Sequence, residues 1–276
     1  MASRVCPYCQ GLNGADEARC YRCGRRLPSP VTTGALGIAR DLLGAEAPMT
    51  RLVIGMELVV FALCMAVDQK LPLWFGDGFR GSTSIRFGAL FGPVLHAEPW
   101  RFLSACFVHA SLLHVGMNML MFASLGAQLE REFGSARATV LFLLCGILGF
   151  VATYVWRDVF AFSVGASGGV FGQVGAFIGV LYARRDPTWK KALVRMLIYA
   201  VLLGVAFPVD NAAHLGGFFS GIALGFGLHV EQRKLRLHRT MVVFAGLMVA
   251  ASVASVALSN LSPVWKDERV RAMIGE

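Results

Sequence analysis

Long apolar segments recur along this chain and are separated by shorter, more polar stretches. A helix needs roughly 20 mostly apolar residues to cross a hydrocarbon layer about 30 Å thick. By this measure the sequence predicts seven membrane-spanning helices, at residues 51–67, 103–126, 138–156, 167–183, 191–207, 212–230 and 240–260. Most connections between them are short, which is typical of antiparallel neighbours in a bundle. The pattern therefore predicts an all-α polytopic membrane protein.

The long connection at residues 68–102 has a different pattern. Aromatic residues alternate there with Gly, Pro and charged residues, from Trp74 to Trp100. Aromatic side chains are enriched where a membrane meets water. We expect a loop that is partly embedded in the membrane.

Composition and charge agree with a membrane location. Hydrophobic residues make up 56% of the chain and charged residues 16%, and the mean hydropathy is +0.60, which excludes an ordinary soluble domain. About fifty residues with cysteines and charges precede the first span, so this span is not a signal peptide. Most basic residues fall on one side of the predicted spans, which places the amino terminus in the cytosol. The net charge of +9 thus comes from basic residues that set the orientation of the spans in the cytoplasmic membrane. Nucleic acid is therefore not an expected partner.

Four of the seven cysteines form two CxxC pairs near the amino terminus, Cys6 with Cys9 and Cys20 with Cys23. Four thiolates at this spacing suit tetrahedral Zn²⁺, which is a structural site when all four ligands come from protein. A redox CxxC would need only one pair in a thioredoxin-like context, and incidental cysteines are the third interpretation. We predict a zinc ribbon, because a reducing cytosol argues against disulfides.

Polar residues are dense in the second predicted span, which contains His109, Ser111, His114 and Asn118. Polar groups within a membrane are costly and are often functional. His114 and Asn118 are four residues apart and share one helix face. They either donate hydrogen bonds to a developing oxyanion or join helices by interhelical hydrogen bonds, and their positions favour neither reading. His109 is expected to anchor a loop.

Ser167 and His214 begin the fourth and sixth predicted spans at the same depth. Gly217, Gly221 and Gly225 lie on the histidine's own helix face, and such a stripe allows backbones to approach closely. Glycine stripes also occur in helices that only pack together and carry no catalytic residue. Close packing would bring His214 within hydrogen-bond reach of Ser167, as a base that activates a serine requires.

No carboxylate is an obvious third member of this pair. Asp210 lies four residues before His214 at a helix entrance, where Asp210 or Asn211 is expected to be the N-cap. Glu57 lies within the first span, and it either snorkels toward the cytosol or pairs with a neighbouring helix.

These motifs together resemble the rhomboid intramembrane serine proteases. The shared residues are Gly165-Ala166-Ser167-Gly168, Ala213-His214-Leu215-Gly216-Gly217, the series His109, His114 and Asn118, and Trp100-Arg101. The resemblance implies a six-helix core, with Ser167 as the nucleophile and His214 as the general base of a dyad. It also implies an oxyanion hole made by His114, Asn118 and the Ser167 amide.

The resemblance extends to structural residues. Trp100 and Arg101 would support the membrane-embedded loop, and Glu130 would support helix packing. Many family members have a tyrosine four residues after the serine, whereas this chain has Phe171, whose ring can still stack on His214.

The predicted organisation is a cytosolic zinc ribbon at 1–27, a linker at 28–50, a rhomboid-like six-span core at 51–230, and a loop, a seventh span and a tail at 231–276. The predicted function is serine endopeptidase action on transmembrane protein substrates within the lipid bilayer, with the active site open to the external face. The zinc is expected to be structural, with no cofactor for catalysis and a cytosolic partner as one hypothesis for the ribbon. The alternative is a catalytically silent rhomboid-like protein that binds membrane clients.

Overall fold

The computed structural model describes residues 3–5, 12–14, 17–24, 27, 47–74, 76–234 and 237–276. The chain divides into two compact units, Met1–Pro48 and Met49–Glu276.

The first unit contains a short antiparallel hairpin. Strand β1 (Ser3–Val5) pairs with β2 (Leu12–Gly14). The Cys20 side chain is buried, and the amide of Gly24 donates to the Cys20 carbonyl at 2.8 Å, which closes a tight turn at the second CxxC pair. Cys6 and Cys9 lie outside the described residues, so the zinc ribbon stays a prediction.

The second unit is mainly helical, with one additional two-stranded pairing between β3 (Leu90–Phe91) and β4 (Phe162–Ser163). Its helices are α1 (Pro48–Asp68), α2 (Gly81–Phe87), α3 (Arg101–Ser104), α4 (Leu112–Phe133), α5 (Ser135–Arg157), α6 (Ser167–Ala183), α7 (Trp189–Ala206), α8 (Asn211–Lys234), α9 (His238–Leu261) and α10 (Glu268–Met273).

Five helices of the described residues are long and apolar enough to cross a membrane, namely α1, α4, α5, α8 and α9. Helix α6 is apolar but has only 17 residues, and α7 carries Lys190, Lys191 and Arg195 within its 18 residues. The chain is therefore consistent with a multi-pass membrane protein. The count of seven spans stays a prediction.

The boundary predicted for the second span is wrong. Residues 103–111 are not the first turns of a long helix, because the short α3 and a 3-10 turn (Ala105–Phe107) come first. Helix α4 begins only at Leu112, and the Ser111 hydroxyl caps it by accepting from the His114 amide at 3.3 Å. His109 and Ser111 thus precede the helix that carries His114.

Helices α6 and α8 pack backbone against backbone, as the glycine stripe predicts. A Cβ atom at Gly217 would lie 2.0 Å from the carbonyl oxygen of Gly168, and one at Gly221 would lie 2.0 Å from that of Gly172. Real Cβ atoms do not approach so closely, so these positions accept only glycine without a backbone shift. The expected close approach of the two helices is confirmed.

Buried polar residues support the bundle. Arg101 is fully buried, pairs with Glu98 at 2.5 Å and donates to the Ile85 carbonyl at 2.7 Å, which agrees with a structural role. Glu130 accepts from the Thr50 amide and hydroxyl, both at 2.6 Å, and so joins α4 to α1.

Glu57 behaves differently from both expectations. Its side chain is fully buried, and neither carboxylate oxygen has a hydrogen-bond partner within the described part of the chain. It therefore neither snorkels to a surface nor pairs with a neighbouring helix there.

Candidate active site

Ser167 and His214 meet where α6 and α8 begin. Ser167 is the first residue of α6, and His214 lies in the first turn of α8. The Ser167 Oγ lies 2.9 Å from the His214 Nε2, which is a hydrogen bond of ordinary length. The predicted contact between the two side chains is therefore present, and it depends on the glycine contacts that draw α6 and α8 together.

The His214 ring is held by packing. The Phe171 ring stacks on it with centroids 4.3 Å apart and planes 10° from parallel, so the expected stacking is confirmed. The imidazole is almost wholly buried, and its Nδ1 has no hydrogen-bond partner among the described residues. No carboxylate of that part of the chain orients this nitrogen.

Asp210 caps α8. One carboxylate oxygen accepts from the Ala213 amide at 3.1 Å, and the other accepts from the Thr153 hydroxyl at 2.7 Å. This is the N-cap expected for Asp210. Both carboxylate oxygens accept hydrogen bonds from other groups, and neither accepts from His214.

His114 lies beside the serine loop. A Cβ atom at Gly165 would lie 2.8 Å from the His114 ring, and Gly165 has a φ of +123°, so both space and backbone conformation require glycine there. His109 packs edge-on against His114 at 5.0 Å and accepts from the Ala166 amide at 3.4 Å. It therefore anchors the loop that leads to Ser167, as expected.

Asn118 lies one turn below His114. Its amide nitrogen donates to the His114 carbonyl at 2.9 Å, and its side chain is buried. His114 lines the cavity described next, whereas Asn118 does not. The shared helix face is thus present, but in this structure only the histidine reaches the cavity.

A cavity of about 340 Å³ opens at the Ser167 hydroxyl. His114, His214, Asp210 and Ser163 are among the residues that line it. Arg157 also lines the cavity. The sequence does not single it out, because a lone arginine at the end of an apolar span is expected to mark the membrane boundary. The site thus combines a hydrogen-bonded serine, a buried imidazole, a second histidine and one cation.

Comparisons with known proteins agree with this arrangement. Residues 96–231 match the family described as the rhomboid domain. RHOMBOID-like protein 7 of Arabidopsis thaliana is 35% identical over 161 residues, which are 56% of this chain and 51% of that protein. Rhomboid protease GluP of Bacillus subtilis is 30% identical over 185 residues, 64% of this chain and 34% of that protein.

A fungal relative matches a longer part of the chain. Rhomboid-type serine protease 2 of Emericella nidulans is 32% identical over 205 residues, which are 72% of this chain and 40% of that protein. The chain spans about half the length of RHOMBOID-like protein 7 and smaller shares of the other two. The domain match and these relatives together support the rhomboid family.

Proposed function

We propose that this chain, whose residues 96–231 match the rhomboid domain, is an intramembrane serine protease that hydrolyses peptide bonds in or near transmembrane helices of membrane proteins. The observation that carries the proposal is the 2.9 Å contact between the Ser167 hydroxyl and the His214 imidazole at a cavity. Two of the relatives bear names that describe proteases.

In the first step, the Ser167 Oγ attacks the carbonyl carbon of the scissile peptide bond. His214 Nε2 takes the hydroxyl proton as general base. The C–N bond then breaks, and the same nitrogen returns the proton to the leaving amine. The amino-terminal part of the substrate is then held as an acyl ester on Ser167. The carboxyl-terminal part is released with a new amino terminus.

Negative charge develops on the carbonyl oxygen in this step. Ser167 begins α6, so its amide has no acceptor within the helix and lies at the positive end of the helix dipole. The His114 ring in the cavity is the second donor in our proposal. Asn118 would join them only if its amide left the His114 carbonyl, and otherwise it positions His114.

Water completes the reaction. His214 deprotonates a water molecule, which attacks the ester and releases the acid product and Ser167. A substrate helix has to unwind first, because its carbonyls are hydrogen-bonded within the helix. Substrates are therefore expected to have small or helix-breaking residues near the external surface.

The proposal is tested by incubating the purified full chain in liposomes with single-span substrates and analysing the products by mass. We expect cleavage by wild type and a loss of at least about a thousandfold for Ser167→Ala, because the nucleophile is gone. Ser163→Ala is the matched control, since Ser163 lines the same cavity, whereas the hydrogen bond of His214 goes to Ser167. It should cleave normally.

A fluorophosphonate probe, which labels activated serines, gives a readout without any substrate. Labelling of wild type and Ser163→Ala but not of Ser167→Ala would agree with the proposal. Persistent cleavage by folded Ser167→Ala would overturn it. Folded wild type that neither cleaves nor takes the probe would favour the client-binding alternative.

We further propose that Cys6, Cys9, Cys20 and Cys23 bind a structural Zn²⁺. The tight turn from Cys20 to Gly24 supports this, because such a turn aims backbone amides toward thiolate sulfurs. Among the described residues no group of three or more His, Cys, Asp or Glu side chains could hold a metal. The proposed site needs Cys6 and Cys9, which lie outside that part of the chain.

A further inference from the structure

A second cavity lies at the opposite end of α6 from Ser167. It has a volume of about 720 Å³ and is formed where α6 ends, α7 begins and α8 ends. Sixteen residues separate Ser167 from Ala183 at the two ends of α6, so the cavity is roughly 24 Å from the candidate active site at about 1.5 Å per residue. The proposed protease mechanism uses no residue of this region.

Among the described residues, three cations line this cavity, namely Arg185, Lys190 and Arg233, and no acidic residue does. None of the three forms a salt bridge within the described part of the chain. The neighbouring acidic groups are engaged elsewhere, since Glu132 pairs with Arg184 and Asp186 accepts from the Thr188 hydroxyl. The cavity therefore presents positive charge without a counterion from those residues.

The other walls are aromatic and apolar. Tyr182 packs edge-on against Trp189 at 5.4 Å and tilts against Phe226 at 6.0 Å. His229 is 6% exposed, lines the cavity and forms no hydrogen bond within the described residues. Its ring is thus a further polar group available to a bound ligand.

An apolar surface continues from the cavity along α7. No residue of α7 is buried in this structure, and Val194, Ile198 and Val201 are more than half exposed. Acyl chains could lie along this surface while the headgroup remained at the cations.

We propose that this cavity binds the headgroup phosphate of an anionic phospholipid, with the acyl chains along α7. Arginine and lysine are the side chains that bind phosphate by charge-assisted hydrogen bonds. Tryptophan and tyrosine prefer the level of the headgroups, and basic pockets between helices on the cytosolic side suit anionic lipids. A free phosphate would use the cations but not the apolar surface.

The test measures lipid retention by native mass spectrometry of the full chain in detergent, with phosphatidylglycerol and phosphatidylcholine as probes. The binding variant is Arg185→Gln with Lys190→Gln and Arg233→Gln. The matched control is Arg131→Gln with Lys191→Gln and Arg195→Gln, three exposed cations at the same end of the bundle that do not line the cavity.

We expect phosphatidylglycerol to bind wild type in preference to phosphatidylcholine. The binding variant should lose affinity on the order of a hundredfold, since each basic side chain near an anionic headgroup is worth roughly a fivefold change. The control variant should lose far less. If the triple variant does not fold, the single variants Arg185→Gln and Arg233→Gln replace it.

Three results would overturn the proposal. Equal losses in the two variants would show a diffuse charge effect, and equal retention of the two lipids would show that the headgroup charge is not recognised. Displacement of the lipid by millimolar glycerol phosphate would show a site for soluble phosphates instead. The readout contains no protein substrate, so it is independent of the proposed protease activity.

Discussion

The Phe171 ring packs directly on the imidazole of the candidate base. It stacks on His214, whose Nδ1 has no partner among the described residues, so packing and the position of α8 orient the imidazole. An oriented ring keeps Nε2 directed at the Ser167 hydroxyl. A tyrosine hydroxyl is not needed for this stacking.

We therefore predict that Phe171→Leu lowers kcat by about threefold to tenfold, because an aromatic pair is worth roughly 0.5–1.5 kcal/mol. Phe171→Tyr should keep the stacked ring and the wild-type kcat. The measurement is kcat and KM on one transmembrane substrate, with Phe219→Leu as a control at an exposed aromatic. A normal kcat in Phe171→Leu would contradict the role of the stack.

Asp210 is predicted to contribute stability through its cap. Asp210→Ala removes the acceptor for the Ala213 amide and should lower the free energy of unfolding by about 1 kcal/mol. Asp210→Asn should cleave like wild type and lose less stability than Asp210→Ala, because asparagine is an equally good N-cap but its single oxygen cannot accept from both the Ala213 amide and the Thr153 hydroxyl. Thermal unfolding in detergent and the cleavage assay together check this. An Asp210→Asn variant of full stability but low activity would instead indicate that the charge acts on His214.

Among the secondary-structure elements, α6 and α8 set the distance between Ser167 and His214, because the two helices are in close backbone contact. The two helices start at Ser167 and near His214, and glycine on both sides removes the side chains that would separate them. A larger residue in the stripe would therefore alter both packing and catalytic geometry.

We predict that Gly221→Ala prevents correct folding, since its Cβ would lie 2.0 Å from the Gly172 carbonyl oxygen. Gly227→Ala is the matched control on the same helix, because no other atom lies within 4 Å of a Cβ there. The control should be as stable as wild type or more stable by up to about 1 kcal/mol. Size-exclusion profiles and thermal unfolding compare the two, and equal behaviour would refute the importance of the close contact.

At the scale of the whole molecule, the carboxyl-terminal segment fastens the loop at residues 81–104. The Trp100 indole donates to the Ser259 hydroxyl at 3.1 Å, and Ser262 donates to Glu98. The Arg86 guanidinium lies 4.6 Å from the Trp265 ring. The seventh predicted span and its tail thus stabilise the segment at residues 81–104.

Deletion of residues 262–276 should therefore loosen this loop. We expect faster hydrogen exchange at residues 81–104 and a lower midpoint of thermal unfolding, because the buried contacts of the tail are lost. Exchange within α8 serves as the internal reference and should stay slow. Unchanged exchange in the loop would contradict a fastening role.

The amino-terminal unit is predicted to fold separately from the helices. Cys20→Ser with Cys23→Ser should remove the proposed zinc, while the helical unit keeps its thermal unfolding midpoint, since the chain divides at Met49. Metal analysis and unfolding of the same preparation check both parts. Loss of folded membrane protein in this variant would show that the two units depend on each other.

The amino-acid sequence alone identifies the helical segments, the glycine stripe, and Ser167 with His214 as a candidate pair. These follow from local properties, namely apolar length, helical spacing and the residue types that catalysis needs. The cap at Asp210 is local in the same sense, because its carboxylate lies three residues before the Ala213 amide. The stacking of Phe171 on His214 is not local, because the two rings come from different helices.

Tertiary packing sets where these elements meet. The break before Leu112 lies inside the segment predicted as the second span, so the length of that segment alone could not reveal that the chain turns there. Neighbouring helices place Arg157 at the cavity and leave Asn118 away from it. They also bury Glu57, which has no hydrogen-bond partner among the described residues. The cations at 185, 190 and 233 converge for the same reason, since packing joins residues that the sequence separates.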